Sequence, residues 1–384
     1  MNPQTAVLFL PDQTTVCPEN QTPLILRPVF FCPLLTWLCS SLQERGVRRV
    51  LLVADASMSE RLLSAVPNGI EAIPIDGARH AELLLSALAE ERERVLVLTG
   101  PLLPVGVFSG GCAYTTPVSA LCDVLRTHRA FAAIPEDCKP ENGYLPVGDE
   151  EELNAALPMC RQKLLEKHRK NGVSFLDSNA VYIDPRVRIG AGTEVLPGTI
   201  LRGDTVIGEN CVIGPNAMLR DCTVGNGTTV NASQANESRI GAEATVGPFA
   251  YIRPNSVIGD KVKVGDFVEI KNSVIGSGTK ISHLTYVGDS DVGERVNFGC
   301  GTVTTNYDGF RKYRCTIGDD AFIGCNTNLI APVTVGKASY IAAGSTIDSE
   351  VPQDSLAIAR SRQTVLPDWA KNRRETEELR KKKP

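Results

Sequence analysis

The sequence predicts two unlike halves: an α/β domain on a parallel sheet, followed by a parallel β-helix of hexapeptide repeats. Three observations carry this. Aliphatic residues recur at every sixth position through residues 186–347. Glycine follows many of them, as in Ile207-Gly208, Val246-Gly247 and Ile323-Gly324. The first hundred residues instead alternate short aliphatic runs with amphipathic helical stretches, the pattern of strand–helix–strand units.

In the N-terminal part, residues 6–10 (AVLFL) read as a buried strand. A helix is expected over 31–46, a strand over 50–54, a helix near 57–66 and a strand near Ile73. A helix over 79–92 then leads into a strand at 95–98. Ligands of such sheets sit at the carboxyl ends of the strands. A phosphate-binding version places glycines after the first strand, where bare amides cradle the anion. Here that loop reads LPDQTTVCPENQTP, with no glycine and three prolines that remove donors. Residues 99–104 (TGPLLP) offer no metal carboxylate. These residues read as a nucleotide-binding fold in which nucleotide binding is poor or lost, leaving a structural or assembly role. Residues 151–170 read as a charged amphipathic helix into the second half.

In the second half the hexads run Ile189, Val195, Leu201, Ile207, Ile213, break, and resume from Ile240 to Ile270. They slip by one residue at Ile275 and again at Val292, stop after Phe298, and finish from Ile317 to Ile347. A sustained period of six marks a β-helix, each hexad one short strand and a turn. Three hexads make one coil, so residues 18 apart stack.

Composition bounds the function. The 384 residues carry a net charge of −4, which implies no general affinity for nucleic acid. Basic residues cluster only at 373–383, read either as a solvated tail or as an arm that meets phosphates. The 12 cysteines are scattered with no CxxC pair, so zinc-site spacing is absent and free thiols are expected. Neither a secretory leader nor a membrane span is expected, which points to a cytoplasmic protein.

Candidate chemistry gathers on the coils. Arg253 and Lys271 are 18 apart and should stack; two cations without a nearby acid call for an anion, and a phosphate suits. Glu269 shares the strand face of Lys271, and Tyr286 falls near the same corner one coil on. His283 is the one histidine of the coils. Alone it would read as structural, but among these neighbours it reads as a base that is near neutrality without tuning. Residues 304–315 (TTNYDGFRKYRC) interrupt the hexads and project a polar loop with Asn306, Tyr307, Asp308 and Lys312, read as functional or as a tolerated insertion. One histidine per chain does not make a metal-hydrolase site.

At these residues the sequence resembles a known family. HLTYVGD (283–289), NYDG (306–309) and IAAGS (341–345), within a match over roughly 175–365, closely resemble the acetyltransferase half of the bacterial bifunctional N-acetylglucosamine-1-phosphate uridyltransferase/glucosamine-1-phosphate acetyltransferase family. The resemblance implies a left-handed β-helix, an exception to the right-handed crossover rule. It also implies a homotrimer with sites between neighbouring subunits. By position, Arg253 and Lys271 hold the sugar phosphate, and Tyr286, Asn297 and Lys312 contact the amino sugar. His283 is the general base, with Glu269 orienting it. Asn306 and Tyr307 match residues that contact sugar and acetyl-CoA; the Cys300 amide falls at the oxyanion position, and Cys325, Ala343 and Arg360 match acetyl-CoA positions. The family usually has Ser at 325. Acetyl-CoA is then the co-substrate, and no metal is expected for acetyl transfer.

The N-terminal part resembles a shortened, eroded uridyltransferase domain of the same family, a Rossmann-like nucleotidyltransferase fold. Gln13 and Thr15 stand where glycines belong, Cys17 for an Arg, and Leu24 after Pro23 for a Lys. Expected domains are 1–150 (degenerate nucleotidyltransferase-like), 151–175 (linker helix), 176–350 (β-helix acetyltransferase) and 351–384 (arm and basic tail). The expected function is acetylation of glucosamine-1-phosphate for UDP-N-acetylglucosamine and cell-envelope precursors, peptidoglycan included. The rival readings are a bifunctional enzyme that keeps uridyltransferase activity, a non-enzymatic scaffold trimer, or an acetyltransferase for a different amino sugar.

Overall fold

The computed structural model of the chain describes residues 3–10, 22–91, 93–105, 112–127 and 138–381. Gln13, Thr15 and Cys17 therefore lie outside the described residues, as does the end of the basic tail.

The aliphatic runs near the N-terminus form a six-stranded sheet. Its order is Glu71–Asp76, Arg49–Ala54, Thr5–Phe9, Arg94–Thr99, Ala113–Pro117, Lys139–Pro140. The first four strands are parallel, as expected. Ala113–Pro117, a strand not expected from the sequence, runs antiparallel to both its neighbours, Arg94–Thr99 and Lys139–Pro140. Among the described residues, the connection over 100–112 contains no helix, the element through which a parallel return usually runs. Because successive strand residues face opposite sides, Ala6 and Leu8 join one core with the helices Leu34–Glu44, Ser59–Ser64 and Glu150–Lys170. Val7 and Phe9 join a second core with the helices His80–Ala87 and Val118–Thr127. Both faces of the sheet are thus covered, as a largely parallel sheet demands.

The helix Glu150–Lys170 links the halves. Asp149 caps it by accepting from the Glu152 amide at 2.8 Å. Three glutamates fill its first turn and the cations Lys167, Arg169 and Lys170 its last, complementing the helix dipole. Its Leu165 already belongs to the core of the second half.

That second half is a prism of three parallel sheets with 11, 10 and 9 strands. The inward aliphatics pair one coil apart, as in Ile252↔Ile270. Burying each such side chain contributes roughly 1.5–3 kcal/mol. The expected break after Ile213 is not a break. Leu219, Val224, Val230 and Ala235 carry the same inward column through it. The steps Leu219 to Val224 and Val230 to Ala235 are one residue short of six, which hides the period. The tight corners need glycine: a Cβ on Gly190 would meet the backbone of Gly208, one coil on, at 2.6 Å.

The first coils carry the α/β domain on their end. The Arg202 guanidinium lies 4.9 Å from the Phe31 ring centroid, and the Phe30 and Tyr182 rings are 6.1 Å apart. Beneath them Asp184, fully buried, takes two hydrogen bonds from the Arg186 guanidinium.

Candidate functional site

Two groups of side chains come together on the middle coils. The first is a vertical column at one corner of the prism. Strands Lys263–Asp266 and Lys280–His283 pair in register, Asp266 against His283. Ile281 pairs with Phe298, Phe298 with Ile323, and Ile323 with Ile341. Two residues further along each turn, the same register stacks His283, Cys300, Cys325 and Ala343. At the foot, the Arg360 side chain lies 3.6 Å from a Cβ built on Gly344. The predicted base, the predicted oxyanion amide and the predicted acetyl-CoA positions therefore share one edge.

The Cys300 amide is open on that edge, as are the amides of Cys325 and Ala343 among the described residues. On another edge of the prism, some corner amides are capped by a side chain one coil on: Glu209 by Asn226, Ala242 by Asp260 and Glu294 by Asp319, all at 2.7–2.9 Å. The residue one coil below Cys300 is Cys325, which supplies no carboxylate or amide acceptor. Among the described residues no acceptor takes the Cys300 N–H. A free backbone donor beside a histidine is what a developing oxyanion requires.

His283 is 58% exposed, and its Nδ1 lies 2.5 Å from Asp266 Oδ1. Asp266 is thus the carboxylate on the imidazole, and Glu269 is not. Glu269 instead accepts from the Arg253 guanidinium at 2.7 Å, which corrects its expected place beside His283. The bond from His283 holds the Asp266 carboxyl below the usual carboxylate range.

The second group lies on the neighbouring sheet. Ile252 over Ile270 stacks Arg253 above Lys271, as the 18-residue spacing predicted. Lys312, from the loop that interrupts the hexads, comes against Lys271. It pulls the Lys271 ammonium below the ordinary lysine range, with burial and the Arg253 charge acting the same way and Asp289 opposing. The expectation of an acid-free stack is corrected: Glu269 bonds Arg253, and Asp289 stands 3.9 Å from Lys271 Nζ. Three cations still face two carboxylates here, so an anion is favoured electrostatically.

The interrupting loop is tied down at its root. Asn306 is buried and donates to Asp289, and its Nδ2 lies 3.5 Å from the Tyr286 hydroxyl. Asp308 accepts from the amides of Phe310 and Arg311, and Arg314 makes a two-bond pair with Asp291. Tyr307 remains exposed. Asn297 does not join this group within one chain. It pairs with Lys280 and Phe322 on the sheet that carries His283.

Sequence reasoning missed Asp266 and Asp289. Asp266 precedes His283 by one coil shortened by the slip at Ile275, so carrying that slip backward finds it. Asp289 closes the HLTYVGD motif and stands one coil after Asn272, the neighbour of Lys271.

The family described as GMPPB C-terminal domain matches residues 234–307. Bacterial transferase hexapeptide repeats match 186–221 and 314–349. With the three-sheet coil, they establish the left-handed parallel β-helix. A curated bifunctional protein GlmU from Acetivibrio thermocellus is 44% identical over 326 residues, covering 85% of this chain and 66% of the relative. That span exceeds the prism and reaches into the α/β sheet. GlmU proteins of Staphylococcus saprophyticus and Clostridium botulinum are 59% and 50% identical over 225 and 230 residues, covering 59% and 60% of this chain and half of each relative. The chain thus spans 66% of the first relative and about half the length of the other two. An Arabidopsis UDP-N-acetylglucosamine acyltransferase structure is 14% identical, covers 54% of this chain and 78% of its own, and has a TM-score of 0.33.

Proposed function

The chain belongs to the bifunctional GlmU family, with a shortened N-terminal domain, and from that premise we propose that it transfers acetyl from acetyl-CoA to the amine of glucosamine-1-phosphate. The product, N-acetylglucosamine-1-phosphate, would feed UDP-N-acetylglucosamine and envelope-precursor synthesis. The observation that carries this reading is the column joining His283 to the free Cys300 amide, together with the cations Arg253, Lys271 and Lys312 on the neighbouring sheet.

In this mechanism the three cations hold the sugar phosphate, and Tyr286 contacts the sugar. Asn297, on the His283 sheet, completes the sugar site across a subunit boundary of a homotrimer. Acetyl-CoA lies along Cys325, Ala343 and Arg360, with Asn306 and Tyr307 at the mouth. An ammonium is not a nucleophile, so the amine must shed a proton. His283 Nε2 takes it as the nitrogen attacks the thioester carbonyl. The oxyanion that forms accepts from the Cys300 N–H. When the tetrahedral centre collapses, the C–S bond breaks and the CoA thiolate takes the proton back from His283. The cysteine at 325 is compatible with its place because its backbone, rather than its side chain, meets the cofactor.

The α/β domain closes the open end of the prism, as terminal coils of a solenoid require. The same reading holds that it has lost uridyltransferase activity, since Leu24 follows Pro23 and Thr99-Gly100-Pro101 carries no carboxylate. A cytoplasmic location fits the reading; no described helix is long and apolar enough to cross a membrane.

The test is His283→Ala in the full chain. The expected outcome is a fall in kcat of about 10²–10⁴-fold with circular dichroism unchanged. Near-normal turnover in a folded variant overturns the mechanism.

A further inference from the structure

The carboxylates around the proposed site are divided between two tasks. We infer that Asp266 is the positioning residue for His283, fixing its tautomer and balancing the imidazolium, while Glu269 serves only the phosphate-binding cation Arg253. The inference rests on the acetyltransferase reading for its kinetic part, and on geometry alone for the pairing.

Four observations carry it. The strands Lys263–Asp266 and Lys280–His283 are four residues long where most prism strands have two or three. Their extra length brings Asp266 and His283 into register at the corner. Gly265 permits this: a Cβ there would sit 1.9 Å from the Ser282 carbonyl oxygen, so only glycine lets the two strand ends close. The backbone around the ring is held from both coils, the Leu284 amide donating to the Asp266 carbonyl at 3.0 Å and the Thr285 hydroxyl to the His283 carbonyl at 2.7 Å. Finally, Glu269 is committed elsewhere, 2.7 Å from Arg253.

The chemistry follows from the atom involved. Asp266 Oδ1 contacts Nδ1, so Nδ1 carries the proton and donates it. Nε2 is then the lone-pair nitrogen, the one free to accept from the substrate amine. When Nε2 takes that proton the ring becomes a cation, and the adjacent carboxylate stabilises it. The proton leaves again from Nε2 to the thiolate, and Asp266 is never itself protonated. Without Asp266 the ring is free to rotate and to adopt the Nε2–H tautomer, which cannot act as the base.

The experiment compares D266N and E269Q in the full-length protein. Nitrogen-15 NMR of the His283 ring, in enzyme without substrates, reads the tautomer directly. The expected result is an Nδ1–H ring in the parent and in E269Q, and a shift toward Nε2–H in D266N. In kinetics, D266N should lose about 10²-fold in kcat with KM for both substrates within about twofold, and D266E should recover part of the loss. E269Q should raise KM for the phosphorylated sugar severalfold. A parent-like tautomer in D266N, or kcat retained within twofold, overturns the inference. If the parent transfers no acetyl to glucosamine-1-phosphate, the functional reading fails on its own, and the NMR comparison still decides whether Asp266 sets the tautomer.

Discussion

The ammonium of Lys271 stands 3.9 Å from the carboxylate of Asp289, whose side chain is only 7% exposed. That carboxylate also accepts from Asn272 at 2.5 Å and from Asn306. One buried acid therefore ties the phosphate-facing lysine to the root of the loop that interrupts the coils. Proposed phosphate site and proposed cofactor mouth are held by the same group.

Replacing Asp289 with Ala strands two amide donors and removes the counter-charge of Lys271. Leaving buried polar groups unpaired costs about 1–3 kcal/mol. The variant should unfold at lower urea, and its loop over residues 306–314 should be cleaved faster by trypsin than in the parent. Equal protease resistance would show that the loop is held otherwise.

Acid should loosen this loop before the coils. Burial alone would raise the Asp289 carboxyl, but the bonds from Asn272 and Asn306 and the charges of Lys271 and Lys312 outweigh it and hold it below its ordinary value. Arg314 does the same for Asp291, and the amides of Arg311 and Phe310 for Asp308. A depressed folded-state value means stability that is present above the unfolded value, about 3.9 for an aspartate, and lost as pH falls through the folded one. Hydrogen exchange of the loop amides, corrected for intrinsic rates, should be flat from pH 7 to about 5 and rise only in stronger acid. A rise already near pH 6 would contradict this assignment.

The freedom of the Cys300 amide depends on what stands one coil below it. Cys325→Asn should cap it, as Asn226 caps the Glu209 amide at 2.9 Å. The expected loss is about 10²-fold in kcat, with thermal stability unchanged or raised. Cys325→Ser should stay within about threefold of the parent, because a short hydroxyl does not impose the cap. Full activity in Cys325→Asn would remove Cys300 as the oxyanion donor.

Gly265→Ala drives a methyl into the Ser282 carbonyl, so the strands bearing Asp266 and His283 must part. The cost should be roughly 1–3 kcal/mol, read as a lowered urea midpoint, together with loss of the Asp266–His283 bond. Ala at Gly309, where a Cβ would have open space but φ is +98°, should cost less because the loop can adjust.

The prism was legible because a period of six has no helical or hairpin explanation, and the register of Ile252 over Ile270 followed directly. Its continuity through Leu219, Val224 and Ala235 was not, since five-residue steps and an alanine core position erase the period. In the first domain the four parallel strands were readable from their aliphatic runs. The antiparallel Ala113–Pro117 was not, because AYTTP carries little hydrophobic alternation. At the site, spacing gave the Arg253–Lys271 stack and rarity gave His283. The acids were misread because side-chain pairing across coils depends on the one-residue slips: Asp266 reaches His283 only once the slip at Ile275 is counted. Glu269 lies close in sequence to the right corner but points to Arg253.

The most direct measurement is free-thiol release from acetyl-CoA, with glucosamine-1-phosphate as acceptor and unphosphorylated glucosamine in parallel. The account predicts rapid release with the phosphorylated sugar and little with the other, and collapse of that preference in Lys271→Ala. Equal release with both sugars would contradict the cation cluster as the phosphate site, and release with neither would contradict the proposed function.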